Sequence, residues 1–345
     1  MMLCVQRPDG NIALGAGLGA IFQTIDVLRR FASNGPMMRK FTKAAVWLIA
    51  FTLLTSCASP DGAMTAYQTG DYATALKEFR PRAEQGDSGA QYLMGVMYGE
   101  GEGVPRDYEV SVSWFRKAAK QGDARAQFNL GTAYDVGRGV LENDALAAFW
   151  YKLAADQGQV RAQHNLGFMY TNGEGVAKDY VQAVRWYRRA AEQDYAGAET
   201  SLGVMYQKGW GVPQDHAKAI DWYRKAAERD NASAQSNLGF MYHEGHGVER
   251  DFNKAAEWFN RAAERGNATA QFYLGLMYVK GEGVKKDGVE AHKWAILAST
   301  LAPRGKVHDN AMKARKLFEQ SMTIAEIAKA RRLAKAWIGK YGGGK

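Results

Sequence analysis

Apolar residues recur along most of this chain in short blocks at helical spacing, cut by glycine-rich breaks. In one block Ala162, Leu166, Met169 and Tyr170 fall at i, i+4, i+7 and i+8, one face of a helix. Gly173-Glu174-Gly175-Val176 interrupts it, with glycine suited to the left-handed residue that ends a helix. Asp179 then reads as an N-cap, and Ala183, Trp186, Tyr187, Ala190 and Ala191 mark the apolar face of a second helix. The spacing predicts a helical hairpin.

The hairpin recurs with a period of 36. Gly95, Gly131, Gly167, Gly203, Gly239 and Gly275 form one column; Trp114, Trp150, Trp186, Trp222, Trp258 and Trp294 form another. In a third, Gly101, Gly137, Gly173, Gly209, Gly245 and Gly281 each precede x-Gly-Val. Three columns in one register predict an all-α solenoid, because such a unit cannot bury its apolar face without stacking on neighbours. A glycine inside a helix costs about 1 kcal/mol relative to alanine, so its repetition predicts a facing helix too close for a β-carbon. The tryptophan and tyrosine columns are assigned to the core. Phe79, Ala83, Gln85 and Gly86 match Phe115, Ala119, Gln121 and Gly122 one period on, which makes 57–86 a linker and an N-terminal capping helix that Pro81 should kink. After Trp294 the register stops. A stretch Asp309–Gln320 and a capped helix Thr323–Trp337, with Glu326 three residues after Thr323, are expected to close the array and argue against endless stacking.

The pattern L-G-x-M-Y-x-x-G-x-G-V-x-x-D followed by W-Y-R-K-A-A-E-Q-G resembles the Sel-one-like repeat family, relatives of the tetratricopeptide repeat, over six units in 87–302. The stretch from Met322-Thr323 through Ala330-Arg331-Arg332-Leu333-Ala334 is similar to the usual ending of bacterial members. The resemblance implies a right-handed superhelix that holds other proteins, with first helices lining a concave face and second helices a convex one. On that face the column before Leu-Gly holds Leu93, Asn129, Asn165, Ser201, Asn237 and Tyr273. Asn129, Asn165 and Asn237 each offer a donor and an acceptor to an extended peptide, a use that related repeats make of this column. The competing reading has them bridge neighbouring helices. Tyr92, Phe128, His164 and Tyr273 are candidate anchors for the same protein or peptide partner, or else inter-repeat core.

The front of the chain reads as an address. Met38-Arg39-Lys40 opens a basic segment, an apolar run fills Ala44–Leu54, and Thr55-Ser56-Cys57 follows. The run is too short to span a membrane. Leu54-Thr55-Ser56-Cys57 resembles a bacterial lipobox, which implies a signal peptide over 38–56 and lipidation of Cys57. Translation is then expected to begin at Met37 or Met38, with 1–37 an upstream extension. Gly15-Ala16-Gly17-Leu18-Gly19-Ala20 matches a dinucleotide-binding pattern but lacks the strand, helix and acidic residue around it. Ala58 after the cysteine favours the outer membrane by the usual sorting rule, so the expectation is a lipid-anchored protein on the periplasmic side of the cell envelope.

The chain carries 45 basic and 36 acidic residues. Its excess sits in 301–345, with 11 basic against three acidic, while 57–300 has 28 against 31. A nucleic-acid channel through the repeats is not indicated, and the tail is read as a solvated cap or a dock for an acidic partner or membrane. The only cysteines are Cys4 and Cys57, too few for a disulfide scaffold. His243-Glu244-x-His246 lacks the geometry of a helical zinc motif, the G-x-G-V loops lack a following Lys-Ser pair, and no serine has a lysine three residues later. No cofactor or metal is expected, and the chain reads as a non-catalytic scaffold. Two alternatives remain at this stage: an envelope hydrolase like the β-lactamase-type activity linked to cysteine-rich relatives, and a structural spacer lipoprotein.

Overall fold

The computed structural model describes residues 5–6, 12–13 and 60–341. The segment 38–56 expected to be a signal peptide, the expected lipidation site at Cys57 and nearly all of 1–37 lie outside the described residues. The chain forms two units, Met1–Glu78 and Phe79–Lys345.

The first unit contains two two-residue strands, β1 (Val5–Gln6) and β2 (Ile12–Ala13), paired antiparallel. Helix α1 (Pro60–Gln68) follows, then α2 (Tyr72–Glu84), which carries on into the second unit. The expected linker and single helix over 57–86 are therefore two helices. Gly70, at φ +82°, ends the first, and Asp71 starts the second by accepting a hydrogen bond from the Thr74 amide at 3.1 Å. Pro81 lies in the last turn of α2, where the helix continues through it.

Six hairpins build the second unit. They are α3 (Ser88–Glu100) with α4 (Tyr108–Lys120), α5 (Ala124–Asp135) with α6 (Asp144–Asp156), and α7 (Val160–Asn172) with α8 (Tyr180–Ala191). Then come α9 (Ala196–Lys208) with α10 (His216–Glu228), α11 (Ala232–Glu244) with α12 (Phe252–Glu264), and α13 (Ala268–Lys280) with α14 (Gly288–Leu301). Helices α15 (Lys306–Glu319) and α16 (Ile324–Tyr341) close the array. Thr323 and Glu326 form the expected capping box: the Glu326 carboxylate accepts from the Thr323 amide at 2.8 Å, and Thr323 Oγ1 from the Glu326 amide.

Local chemistry fixes each hairpin. Asp107, Asn143, Asp179, Asp215, Asp251 and Asp287 all accept backbone N–H bonds at the start of a second helix. Gly173 ends α7 at φ +82°, and Gly175 lets the turn lie on the next hairpin back, because a β-carbon there would overlap the Asp144 carbonyl of α6. The glycine inside the first helix has a different cause. A β-carbon on Gly167 would sit 2.7 Å from the Tyr187 ring, and Gly95, Gly131, Gly203 and Gly239 face Phe115, Tyr151, Tyr223 and Phe259 likewise. At Gly275 the position 20 residues on is Ala295, and the helix backbone itself closes in, the Ala291 carbonyl standing 3.1 Å from that site.

A buried amide ladder joins successive hairpins. Gln91, Gln127, Gln163, Gln235 and Gln271 donate to the carbonyls of Ala83, Ala119, Ala155, Ala227 and Ala263 at 3.0–3.1 Å. Gln121, Gln157 and Gln193 in turn donate to Gln91, Gln127 and Gln163 at 2.7–2.8 Å. The fourth repeat departs from this: Glu199 takes the glutamine position and Arg229 approaches it at 3.6 Å, also pairing with Asp194. The tryptophan column is core only in part. Trp186 and Trp294 are buried, while the other four are half-buried.

Candidate partner-binding site

The residues singled out for partner binding all lie on first helices and all are half-buried. The structure does not gather them into one pocket; it spreads them over five of the six hairpins, with Tyr92 and Asn129 sharing one cavity. The aromatics among them contact rings of the second helices. Tyr92 lies 5.9 Å from Phe115, Phe128 5.8 Å from Tyr151, and His164 5.5 Å from Tyr187. Tyr273 stacks on Phe259 at 5.4 Å, with ring planes 6° apart. The Arg125 guanidinium lies over the Tyr92 ring at 4.3 Å. Burial holds the His164 imidazole below its usual pKa range, against the opposing pull of Asn165 as an acceptor, and raises the Tyr273 hydroxyl, with Glu244 adding to the rise.

The asparagines divide. Asn165 lies close enough to Tyr151 of the preceding hairpin and to His164 to bear on the protonation of both, so it faces the neighbouring repeat. Asn129 lines a cavity of about 280 Å³ with Tyr92, Tyr108, Phe115 and Thr132. Asn237 is half-buried on α11.

That cavity has a cause visible only across repeats. Where the second helix carries tyrosine, the first helix supplies a polar partner 16 residues earlier. Tyr151 Oη donates to Asp135 at 3.0 Å, Tyr223 Oη donates to Gln207 at 2.7 Å, and the Tyr187 and Thr171 hydroxyls are 3.1 Å apart. Burial pushes the Tyr151 phenol up to about 12. In the first repeat the ring is Phe115 and the partner position is Gly99, so the hydroxyl and its acceptor are both missing and the space stays open.

The remaining candidates have local partners. His243 Nδ1 contacts Glu244 at 2.7 Å and Nε2 lies 3.3 Å from Glu282, whereas His246 stacks on His216 at 5.4 Å. The two histidines thus point to different neighbours, and no group of three or more ligand-type side chains suited to a metal ion occurs among the described residues. The tail bases are partly engaged: Arg331 donates to Glu319 at 3.0 Å, and Arg315 lies 3.7 Å from the same carboxylate. No helix among the described residues is long and apolar enough to cross a membrane.

Stacked, capped helical hairpins with a varied first-helix surface define an α-solenoid of the kind that presents surfaces to other molecules. The Sel1 repeat model matches 88–123, 124–159, 160–195, 196–231, 232–267 and 268–302. The chain belongs to the Sel1 repeat family, whose members typically mediate protein–protein interaction. A Sel1 repeat protein from Oxalobacter formigenes is 33% identical over 71% of this chain and 97% of its own, with a TM-score of 0.66. A protective antigen of uropathogenic Escherichia coli with the same repeat fold is 32% identical over 80% of this chain and 75% of its own, with a TM-score of 0.36. An immunity protein from Pseudomonas aeruginosa is 20% identical over 67% of this chain and 82% of its own, at a TM-score of 0.40. No curated protein matches the chain.

The sequence columns missed the amide ladder. Its signal was present as glutamines at one repeat position, three of them (Gln91, Gln127 and Gln163) with a second glutamine 30 residues later, but a polar residue in a helix reads as surface until its burial is known.

Proposed function

We propose that this chain is a non-catalytic adaptor of the bacterial cell envelope, anchored through lipid on Cys57, that holds a peptide segment of a protein partner along its first-helix face. The observation that carries the reading is the open space of about 280 Å³ beside Asn129. It offers an apolar wall from Tyr92, Phe115 and Val112 and a polar edge from Asn129 and Thr132, the combination that fixes one partner side chain together with its backbone. A preformed solenoid loses little conformational freedom on binding, which favours capture of an extended segment. Lipid anchoring keeps the groove at the membrane, where the partner is also expected.

The test is crosslinking and recovery from intact envelopes, comparing wild type with Asn129→Ala/Asn237→Ala. Asn165 is left intact because it faces Tyr151 of the neighbouring repeat. A partner bound by wild type and lost in the folded double variant supports the reading; a partner that both capture equally removes the groove from it. Globomycin treatment, which blocks lipoprotein signal cleavage, should retain the uncut precursor, and unaltered processing would refute the anchor.

A further inference from the structure

The second helix of the second repeat breaks the outward pattern of the array. On α6, Leu146 and Phe149 are 38% and 53% exposed, and Leu141 just ahead of the helix is 90% exposed. With half-buried Leu153, Leu146 and Phe149 form an i, i+3, i+7 stripe. The repeats supply an internal control. The Leu146 column holds Gln182, Lys218, Lys254 and Glu290 in the later repeats, and the Phe149 column holds Arg185, Asp221, Glu257 and Lys293. The hairpin therefore does not need an apolar side chain at either place.

The flanks of this stripe are basic. Trp150 of α6 packs on the cluster of Val112, Phe115 and Ala118 from α4, and Trp186 of α8 packs on that of Ala147, Ala148 and Tyr151 from α6, so α4 and α8 lie on either side. From α4 come Lys117 and Lys120, with Arg116 turned to donate to the Tyr134 hydroxyl at 3.2 Å, and from α8 Arg185, Arg188 and Arg189, against the acidic Glu109 and Glu192. Lys117 and Arg189 are held over the Trp114 and Trp186 rings at 3.8 and 4.6 Å, which keeps these cations in place beside the stripe. On α6 itself Lys152 is neutralised by Asp156 at 2.7 Å.

We propose that α6 and its two neighbours dock an acidic amphipathic helix of a protein partner. The partner's apolar residues at i, i+3 and i+7 would cover Leu146, Phe149 and Leu153, and its glutamates or aspartates would face the two basic rows. Charge decides among the occupants. A second copy of this chain would set the same basic rows against each other. A bilayer would have to admit Glu142 and Asp144 at one end of the stripe and Asp156 at the other. This surface is formed by second helices and is independent of the groove proposed above.

The probe is a labelled 16-residue amphipathic helix with leucines in an i, i+3, i+7 stripe and glutamates on both flanks, titrated into the full chain by fluorescence anisotropy. Its lysine-flanked counterpart and vesicles containing phosphatidylglycerol serve as competing arms. The disrupting variant is Leu146→Gln/Phe149→Ser, which installs the uncharged residues that the same columns carry at Gln182 and Ser113, so helical content and melting temperature should persist while the net charge of the surface stays unchanged. Saturable binding of the glutamate peptide, weakened at least tenfold by the variant and by raised salt, is the expected result. Equal binding of both peptides, unchanged binding by the variant, or no binding overturns the proposal. So would vesicle recruitment of wild type alone, or a wild-type dimer that the variant abolishes.

Discussion

Replacing Arg229 by glutamine should destabilise the fourth repeat by an amount that depends on Glu199. The Glu199 side chain is 2% exposed, its Oε2 has no hydrogen-bond partner, and the nearest cation is Arg229 at 3.6 Å. Burial raises the carboxyl above its ordinary range more than Arg229 lowers it. Without the arginine a nearly inaccessible carboxylate is left uncompensated, a loss of about 2 kcal/mol; the full range for a broken buried pair is not reached because Arg229 is itself 37% exposed. Glu199→Gln instead restores the ladder residue of the other repeats, free to donate to the Ala191 carbonyl. In that background Arg229→Gln should cost no more than about 0.5 kcal/mol, because it rebuilds the Gln163–Gln193 arrangement. Urea unfolding of all four proteins, with hydrogen exchange in α9 and α10 to localise the change, measures the coupling. Equal costs in both backgrounds would refute the reasoning. The pH dependence gives a second check. A carboxyl raised in the folded state binds its proton more tightly there, so its contribution falls as pH rises from about 4.3 through the folded value. Glu199→Gln should abolish that decline.

Other positions can be ranked the same way. Gly167→Ala should cost about 2 kcal/mol in thermal unfolding, since its β-carbon would sit 2.7 Å from the Tyr187 ring. Gly288→Ala, with nothing within 4 Å, should be neutral or stabilising by up to about 1 kcal/mol; the reverse order would contradict the packing. Gly99→Thr/Ser111→Ala/Phe115→Tyr should install the Tyr187–Thr171 pair in the first repeat, raise the melting temperature and fill the cavity. Ser111 must change because its Oγ lies 3.0 Å from the added carbon. His292 is fully buried with Nε2 3.2 Å from Glu319, and burial holds its pKa down against that carboxylate, with Arg315 and Arg331 adding to the depression. The unfolded chain takes up the proton first, so the stability that neutral His292 provides is complete above about 6.5 and is lost as pH falls from there towards the folded value. A stability profile of His292→Gln with the same acid-side slope would disprove this.

The hairpins, their caps and the glycine columns were legible in the sequence because each follows from backbone geometry that every repeat must satisfy. The helix boundaries at the closing end shifted by a few residues, from 309 to Lys306 and from Trp337 to Tyr341, as ends set by packing rather than by a cap do. The candidate site was less legible. A half-buried ring such as Phe128 shows the same helical spacing whether it meets a partner or Tyr151, and only coordinates separate Asn129, beside open space, from Asn165, which reaches Tyr151 and His164. The helical spacing of the tryptophans predicts core. In the structure, five of them also carry a lysine or arginine against one ring face, which a periodicity alone does not encode.

Departures from the repeat carry more information here than the repeat itself. At three places a residue and its contact in the paired column change together: Tyr223 with Gln207, Phe115 with Gly99, and Glu199 with Arg229. Such paired changes keep the hairpin packed and account for variation without invoking a ligand. Leu146 and Phe149 follow the opposite rule, because most later repeats carry charged residues in their columns, and among the described residues both stay partly exposed, Phe149 with only the edge of Trp150 against it. The Gly99–Phe115 pair lies between the two, compensated in chemistry but not in volume. In an array whose neighbours set the standard for each position, an uncompensated departure costs solubility or packing with no return to the fold itself, and the return has to come from something bound there.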